Sequence, residues 1–204
     1  GLGDVYKRQP SVLATLVSDK LDFPNLSMVG VDDRAAAYQA VSYLIQQGHR
    51  KIAVLGGPAT SYPSMMRRQG AQQAMEDAGI RFEDKLYGLS NYDFESAYHA
   101  MNGLLARRAE FTALFAMSDV IAFGAIRALV SAGLRVPEDV SVIGFDGITM
   151  SRYCVPVMTT IVQPSEQIAL QSIELLVRQI EHGTPAQTVT LQPELQQGES
   201  VRAI

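Results

Sequence analysis

Short apolar runs alternate along the chain with longer stretches of helical periodicity. The strand-like runs are Val12–Val17, Ser27–Val31, Lys51–Gly56, Leu86–Leu89, Thr112–Met117, Val140–Phe145, Thr159–Val162 and Thr188–Leu191, with a weaker one near Leu195–Val201. They are mostly continuous rather than alternating, the pattern of strands covered on both faces. Between them the spacing predicts helices. Asp33–Gln47 places Ala37, Val41 and Leu44 on one face and stops at Gly48. Met65–Ala78 stops at Gly79, and Asp93–Arg107 opens on a capping aspartate. Asp119–Ala132 stops at Gly133. Pro164–Glu181 stops at Gly183, with Ala169, Ile173, Leu176 and Ile180 repeating at helical spacing. Strand, helix, strand, helix reads as βαβ units: an α/β fold with a doubly wound parallel sheet. A last helix followed by two late strands suggests a chain that crosses between two lobes.

Composition narrows the classes. Of 204 residues, 47% are hydrophobic and 19% charged, an ordinary globular make-up. No apolar run approaches the roughly 20 residues that span a bilayer. The one cysteine, Cys154, excludes an internal disulfide and a cysteine-based metal site, and fits a reducing compartment. The 17 Lys and Arg against 21 Asp and Glu argue against this piece gripping nucleic acid by itself. The opening Asp4-Val5-Tyr6-Lys7-Arg8-Gln9 resembles one translated frame of a sequencing-library adaptor, so residues 1–9 are left out of the fold and the native start is expected upstream.

Catalytic signatures are absent: no GxxxxGK[ST], GxSxG, HExxH or CxxC occurs. His49, His99 and His182 are far apart and read as helix-end or surface residues; Cys154 reads as a plain buried thiol. Gly56-Gly57-Pro58 could cradle an anion at a helix start, but a simple βα turn accounts for it better. What remains are polar and aromatic residues where predicted parallel strands end. Ser118 and Asp119 follow one strand and Asp146 another, while Arg67 and Phe94 sit at the starts of helices. That edge is the ordinary ligand crevice of an open α/β sheet. A carboxylate accepting from neighbouring hydroxyls, a guanidinium fork and an aromatic face suit a polyhydroxylated ligand such as a sugar. Taken singly, Asp119 reads equally as a helix cap, Arg67 as a surface charge and Phe94 as core.

The stretches GHRKIAVLGG (Gly48–Gly57), RRQG (Arg67–Gly70), SDVIAFGAIRALVSAGLRVPEDVSVIGFDG (Ser118–Gly147) and VMTTIVQP (Val157–Pro164) resemble the lactose-repressor (LacI/GalR) family of bacterial transcription regulators. The likeness is to that family's effector-binding core, which has the type I periplasmic-binding-protein fold, and it runs from about Pro10 to Val201. It implies two α/β lobes joined by three crossings, with effector between them. By this alignment residues 10–32 and 162–185 are a partial N-terminal lobe. Residues 33–161 and 186–204 are a nearly complete C-terminal lobe. The crossings fall near Val31–Asp33, Ile161–Gln163 and Thr184–Ala186.

The resemblance implies effector contacts at Arg67, Phe94, Ser118 and Asp146, with Gln163 on the cleft floor. Asp119 is then structural, capping the following helix. The family often has Asn at Ser118 and Arg at Gly198. The implied protein is a cytoplasmic homodimer that binds a small effector, best a sugar, and reaches operator DNA through an N-terminal head absent from this sequence. It is not an enzyme and needs no cofactor, metal or membrane. A periplasmic sugar-binding protein of a transporter is the alternative use of the same fold; an enzyme on this sheet has no nucleophile–base pair to support it.

Overall fold

The apolar runs separate into two sheets, each with its own core. The structure, a computed structural model, describes residues 11–14, 26–108 and 110–204. Residues 1–9 and the 15–17 end of the first expected strand lie outside the described residues. In chain order the elements are β1 (Ser11–Ala14), β2 (Leu26–Val31), α1 (Asp33–Gln46), β3 (Ile52–Gly56), α2 (Tyr62–Asp77), β4 (Tyr87–Leu89), α3 (Phe94–Ala106), β5 (Ala113–Ala116) and α4 (Asp119–Ser131). They continue with β6 (Ser141–Asp146), β7 (Thr159–Val162), α5 (Ser165–His182), β8 (Thr188–Leu191) and β9 (Glu194–Gln196). Helix α2 starts earlier than the expected Met65, because Pro63 fits the first turn, where its missing N–H is not needed.

The smaller unit comprises the described part of Gly1–Asp32 with Pro164–Pro193. Its sheet has the order β1-β2-β8, all parallel. Val29, Ile168 and Leu175 form its core. The buried line of α5 is Ile168, Leu175 and Gln179, with Gln179 held by the Ser27 hydroxyl, which donates to its Oε1 at 3.1 Å. This differs from the expected stripe: Ile173 and Ile180 are exposed, as are Leu170 and Val177. The apolar arc of α5 is wider than one stripe, and the sheet takes only part of it. Strand β8 also differs from expectation. Its pairing with β2 keeps Thr188–Leu191 in the smaller unit, so the chain re-enters the larger one after Pro193 rather than at residue 186.

The larger unit comprises Asp33–Gln163 with Glu194–Ile204. Its sheet has the order β4-β3-β5-β6-β7-β9, parallel except for β9, which runs antiparallel to β7. Strands β3 and β5 are buried at every position, which is why their runs read as continuous rather than alternating. The expected α1 face is buried as Ala37, Val41 and Leu44. Three helices carry a polar residue on their buried stripe: Asp33 in α1, Arg67 in α2 and Asp119 in α4. All three lie toward the helix N-termini, which follow or flank the carboxyl ends of the parallel strands.

Helices α1 and α2 pack closely at Gly70, where a side chain would overlap the Arg34 carbonyl. Gly70→Ala must push the two helices apart, a change of the overpacking kind that costs about 1–3 kcal/mol. Urea denaturation monitored by circular dichroism is expected to show a lowered midpoint; an unchanged midpoint contradicts the packing described.

Candidate functional site

Because β3, β4, β5, β6 and β7 are parallel, their carboxyl ends share one edge. Four polar side chains are bonded in a row there. Arg67 Nε donates to Asp33 Oδ1 at 2.7 Å, and Arg67 Nη1 donates to the Met117 carbonyl. The same Nη1 faces Asp146 Oδ1 at 3.6 Å, and Gln163 Nε2 donates to that oxygen at 2.7 Å. The guanidinium carbon lies 3.6 Å from the centre of the Phe145 ring, a cation–π stack. Arg67 is 6% exposed and Asp33 7%, so that pair is largely withdrawn from water, while Asp146 and Gln163 are half-buried. A buried guanidinium persists only when paired and hydrogen-bonded, as this one is.

The backbone holds Asp146 in an uncommon state. It ends β6 with φ at 111°, a positive value that a residue with a side chain rarely adopts. Gln163, one residue past the Val162 that pairs with Asp146, bonds it through its main-chain N–H as well. Burial raises the Asp146 carboxyl above its ordinary range. Arg67 and Gln163 oppose that rise, and the Asp33 charge adds to it.

Asp119 makes a second polar centre beneath this edge. It is fully buried; Oδ1 accepts from the Thr160 hydroxyl at 2.6 Å and Oδ2 from the Ile148 N–H at 2.8 Å. Gly144 leaves room for it, since a side chain there would overlap Oδ1. Asp119 was expected to cap α4, but the cap is Ser118, whose Oγ accepts from the Ile121 N–H at 3.1 Å. Asp119 instead ties α4 to β7 and to the turn after β6. Burial pushes its carboxyl up to about 6, with the Asp146 charge adding to the rise, against the lowering effect of hydrogen bonds from Thr160 and from the Ile148 and Gly147 main chain.

Of the five expected site residues, Arg67, Asp146 and Gln163 are joined in one bonded row. Ser118 directly follows the Met117 carbonyl that Arg67 holds, with its own oxygen turned to the cap. Phe94 opens α3 at the same strand edge, its side chain 48% exposed and outside the bonded row. Asp33 and the Phe145 ring were missed. Asp33 shares the buried stripe with Ala37, Val41 and Leu44, the one signal that marked it.

His49 is buried, not at the surface: its Nδ1 lies 2.9 Å from Thr112 Oγ1 and its Nε2 3.1 Å from the Arg202 carbonyl. Cys154 is half-buried, within reach of the Ser151 and Pro156 carbonyls. Gly57 packs against the Tyr92 ring, as a filled βα turn does. At Gly198 a side chain would overlap the Val157 carbonyl. Among the described residues no group of three His, Cys, Asp or Glu could hold a metal ion, and no helix is long and apolar enough to cross a membrane.

The parallel sheet and its polar edge define a ligand-binding α/β domain, and the family model described as a periplasmic binding protein-like domain matches residues 41–201. The chain belongs to that family, among the effector-binding cores of LacI-type regulators. It is 37% identical over 172 residues to the HTH-type transcriptional repressor CytR of Escherichia coli strain K12, covering 84% of this chain and 50% of that protein. It is 36% identical over 199 residues to the HTH-type transcriptional repressor PurR of Salmonella paratyphi B, covering 96% of this chain and 57% of that one. The solved complex of the transcriptional regulator CelR with cellobiose matches with a TM-score of 0.87 at 30% identity, over 98% of this chain and 68% of that one. The chain thus spans about half the length of the curated relatives it matches.

The buried Asp119 gives a pH signature. Its folded carboxyl titrates at about 6 against an ordinary value of 3.8, so the folded state binds the proton more tightly. Stability relative to Asp119→Asn is therefore greatest below the ordinary value and falls as pH rises through about 6, by about 3 kcal/mol in all. Denaturation of both proteins across that range is the measurement; a difference that stays flat contradicts it.

Proposed function

We propose that this chain is the effector-binding and dimerisation core of a LacI/GalR-type bacterial transcription regulator, and that its effector is a sugar. The observation that carries this reading is the Arg67–Asp146 pair at the carboxyl edge of the larger sheet, held by Asp33 and Gln163. A carboxylate fixed this way accepts hydrogen bonds from paired hydroxyls, and the guanidinium donates to ring or hydroxyl oxygens. Phe94, half exposed at the same edge, offers an aromatic face to the apolar side of a sugar ring. Two solved relatives are complexes with cellobiose and with ribose.

In this reading the partial lobe of residues 10–32 and 162–185 and the C-terminal lobe form two arrangements, and effector shifts DNA affinity by binding one of them better. The three chain crossings are the hinge. Operator DNA is bound by a head elsewhere in the full-length protein, which acts in the cytoplasm and carries no catalysis. A second copy covers an exposed apolar patch on the larger unit. Val130 and Val155, the latter at 94% exposure, line a surface pocket of about 430 Å³ there together with Ile126 and Leu134.

Two measurements test this. Arg67→Ala is expected to weaken sugar binding by the full-length protein by about 1.5–3 kcal/mol, the scale of a charged hydrogen-bond donor. Calorimetry with glucose, ribose and cellobiose reads it, and an unchanged affinity refutes the site. Val155→Glu is expected to shift the full-length protein toward monomer in sedimentation; an unaltered dimer places the interface elsewhere.

A further inference from the structure

The turn that presents Asp146 has two successive residues at positive φ, 111° at Asp146 and 71° at Gly147. A side-chain-bearing residue rarely adopts such a value, and it persists only where the surroundings fix it. Strand β7 confines one side of the turn, since a side chain at Gly147 would overlap Val162. Asp119 supplies hydrogen bonds from below. Its Oδ2 accepts from the Ile148 N–H at 2.8 Å, and the Gly147 main chain bonds the same carboxylate. Its Oδ1 accepts from the Thr160 hydroxyl at 2.6 Å, which fixes the side chain against β7. A fully buried carboxylate thus holds the two residues that follow Asp146.

We infer that Asp119 is a positioning residue for effector binding: by holding the main chain of residues 147 and 148 it sets the Asp146 carboxylate, and a proton on Asp119 loosens that hold and weakens binding of a hydroxyl-rich ligand. This rests on the reading of the edge as the effector site. An ionised carboxylate makes hydrogen bonds about twice as strong as a neutral one does. Burial brings the Asp119 carboxyl up to about 6, so the change falls in an accessible range. Among the described residues, the titratable groups that act on it or are acted on by it are Asp146 from β6 and the Cys154 thiol ahead of β7. Burial keeps that thiol above its ordinary range, hence neutral. Strand β5 is apolar, and α3 meets α4 through Ala97, with Glu95 and His99 exposed. His49 bonds Thr112 at the amino ends of β3 and β5, the opposite edge of the sheet. The Asp146 charge acts on Asp119 less than the Thr160 and Ile148 hydrogen bonds do, so the hydrogen bonds decide the sign.

The test is calorimetric titration of the full-length protein with glucose, ribose and cellobiose, which carry no charge between about pH 5 and 7.5. The wild type is expected to lose affinity about fivefold as pH falls through about 6, the factor for one hydrogen bond turning from charge-assisted to neutral. By linkage it releases protons on binding near that pH, read as a binding heat that depends on the buffer. The Asp119→Asn amide accepts from Ile148 and donates to Thr160, so this variant is expected to keep the low-pH affinity throughout, without a step. Thr160→Val removes a hydrogen bond to the charged form and is expected to move the step to higher pH. A merely structural role would alter stability and leave the pH profile of affinity in place. A flat wild-type profile overturns the inference while the sugar reading stands. A step that survives Asp119→Asn belongs to Asp146 and overturns it too. If Asp119→Asn does not fold, Thr160→Val decides, and a step that stays put overturns the inference. If no sugar binds at any pH, the sugar reading itself falls and the inference with it.

Discussion

A buried guanidinium organises the edge of the larger unit. Arg67 occupies a core position on α2, in line with Gly70, Ala71, Ala74 and Met75, where an apolar side chain is the ordinary choice. Burying that charge is tolerable only because Asp33, the Met117 carbonyl, Asp146 and the Phe145 ring surround it. These partners come from the start of α1, the end of β5 and the end of β6. One side chain therefore fixes the mutual position of three strand-edge segments. Removing it takes the guanidinium away from both Asp33 and Asp146, so loss of binding and loss of stability must be measured separately.

The same arrangement connects the edge to the chain crossings. Asp33 is the first residue of the larger unit after β2, and Gln163 is the last before the chain leaves it for α5. Both are bonded into the Arg67–Asp146 pair. The pair is therefore bonded to both residues at which the chain enters and leaves the larger unit on this side. Asp119 plays a different part. It braces the floor of the edge by joining α4 to β7 and to the Ile148 N–H. Its charge is held against the cost of burial by hydrogen bonds.

The order of strands and helices was legible because fully covered strands read as continuous apolar runs and helices stop at glycines. Arg67 and Asp146 were legible at one edge because parallel strands bring their carboxyl ends together, whereas Gln163 was legible only through the family resemblance. Three features were not. Asp33 and Phe145 looked like a helix start and a core aromatic, since nothing local tells a buried stripe position that it faces an arginine. The cap fell to Ser118 rather than Asp119 because adjacent residues at a helix start differ by backbone geometry that spacing does not report. The α5 stripe was misjudged because its apolar arc is wider than a single face, and periodicity does not say which part the sheet takes.

The most direct measurement is a crystal structure of the full-length protein with the sugar, among glucose, ribose and cellobiose, that raises its melting temperature most. The account predicts ligand hydroxyls bonded to the Asp146 carboxylate and to Arg67 Nη2, with the Arg67–Asp33 pair intact. A sugar seated without contact to either Arg67 or Asp146 contradicts it.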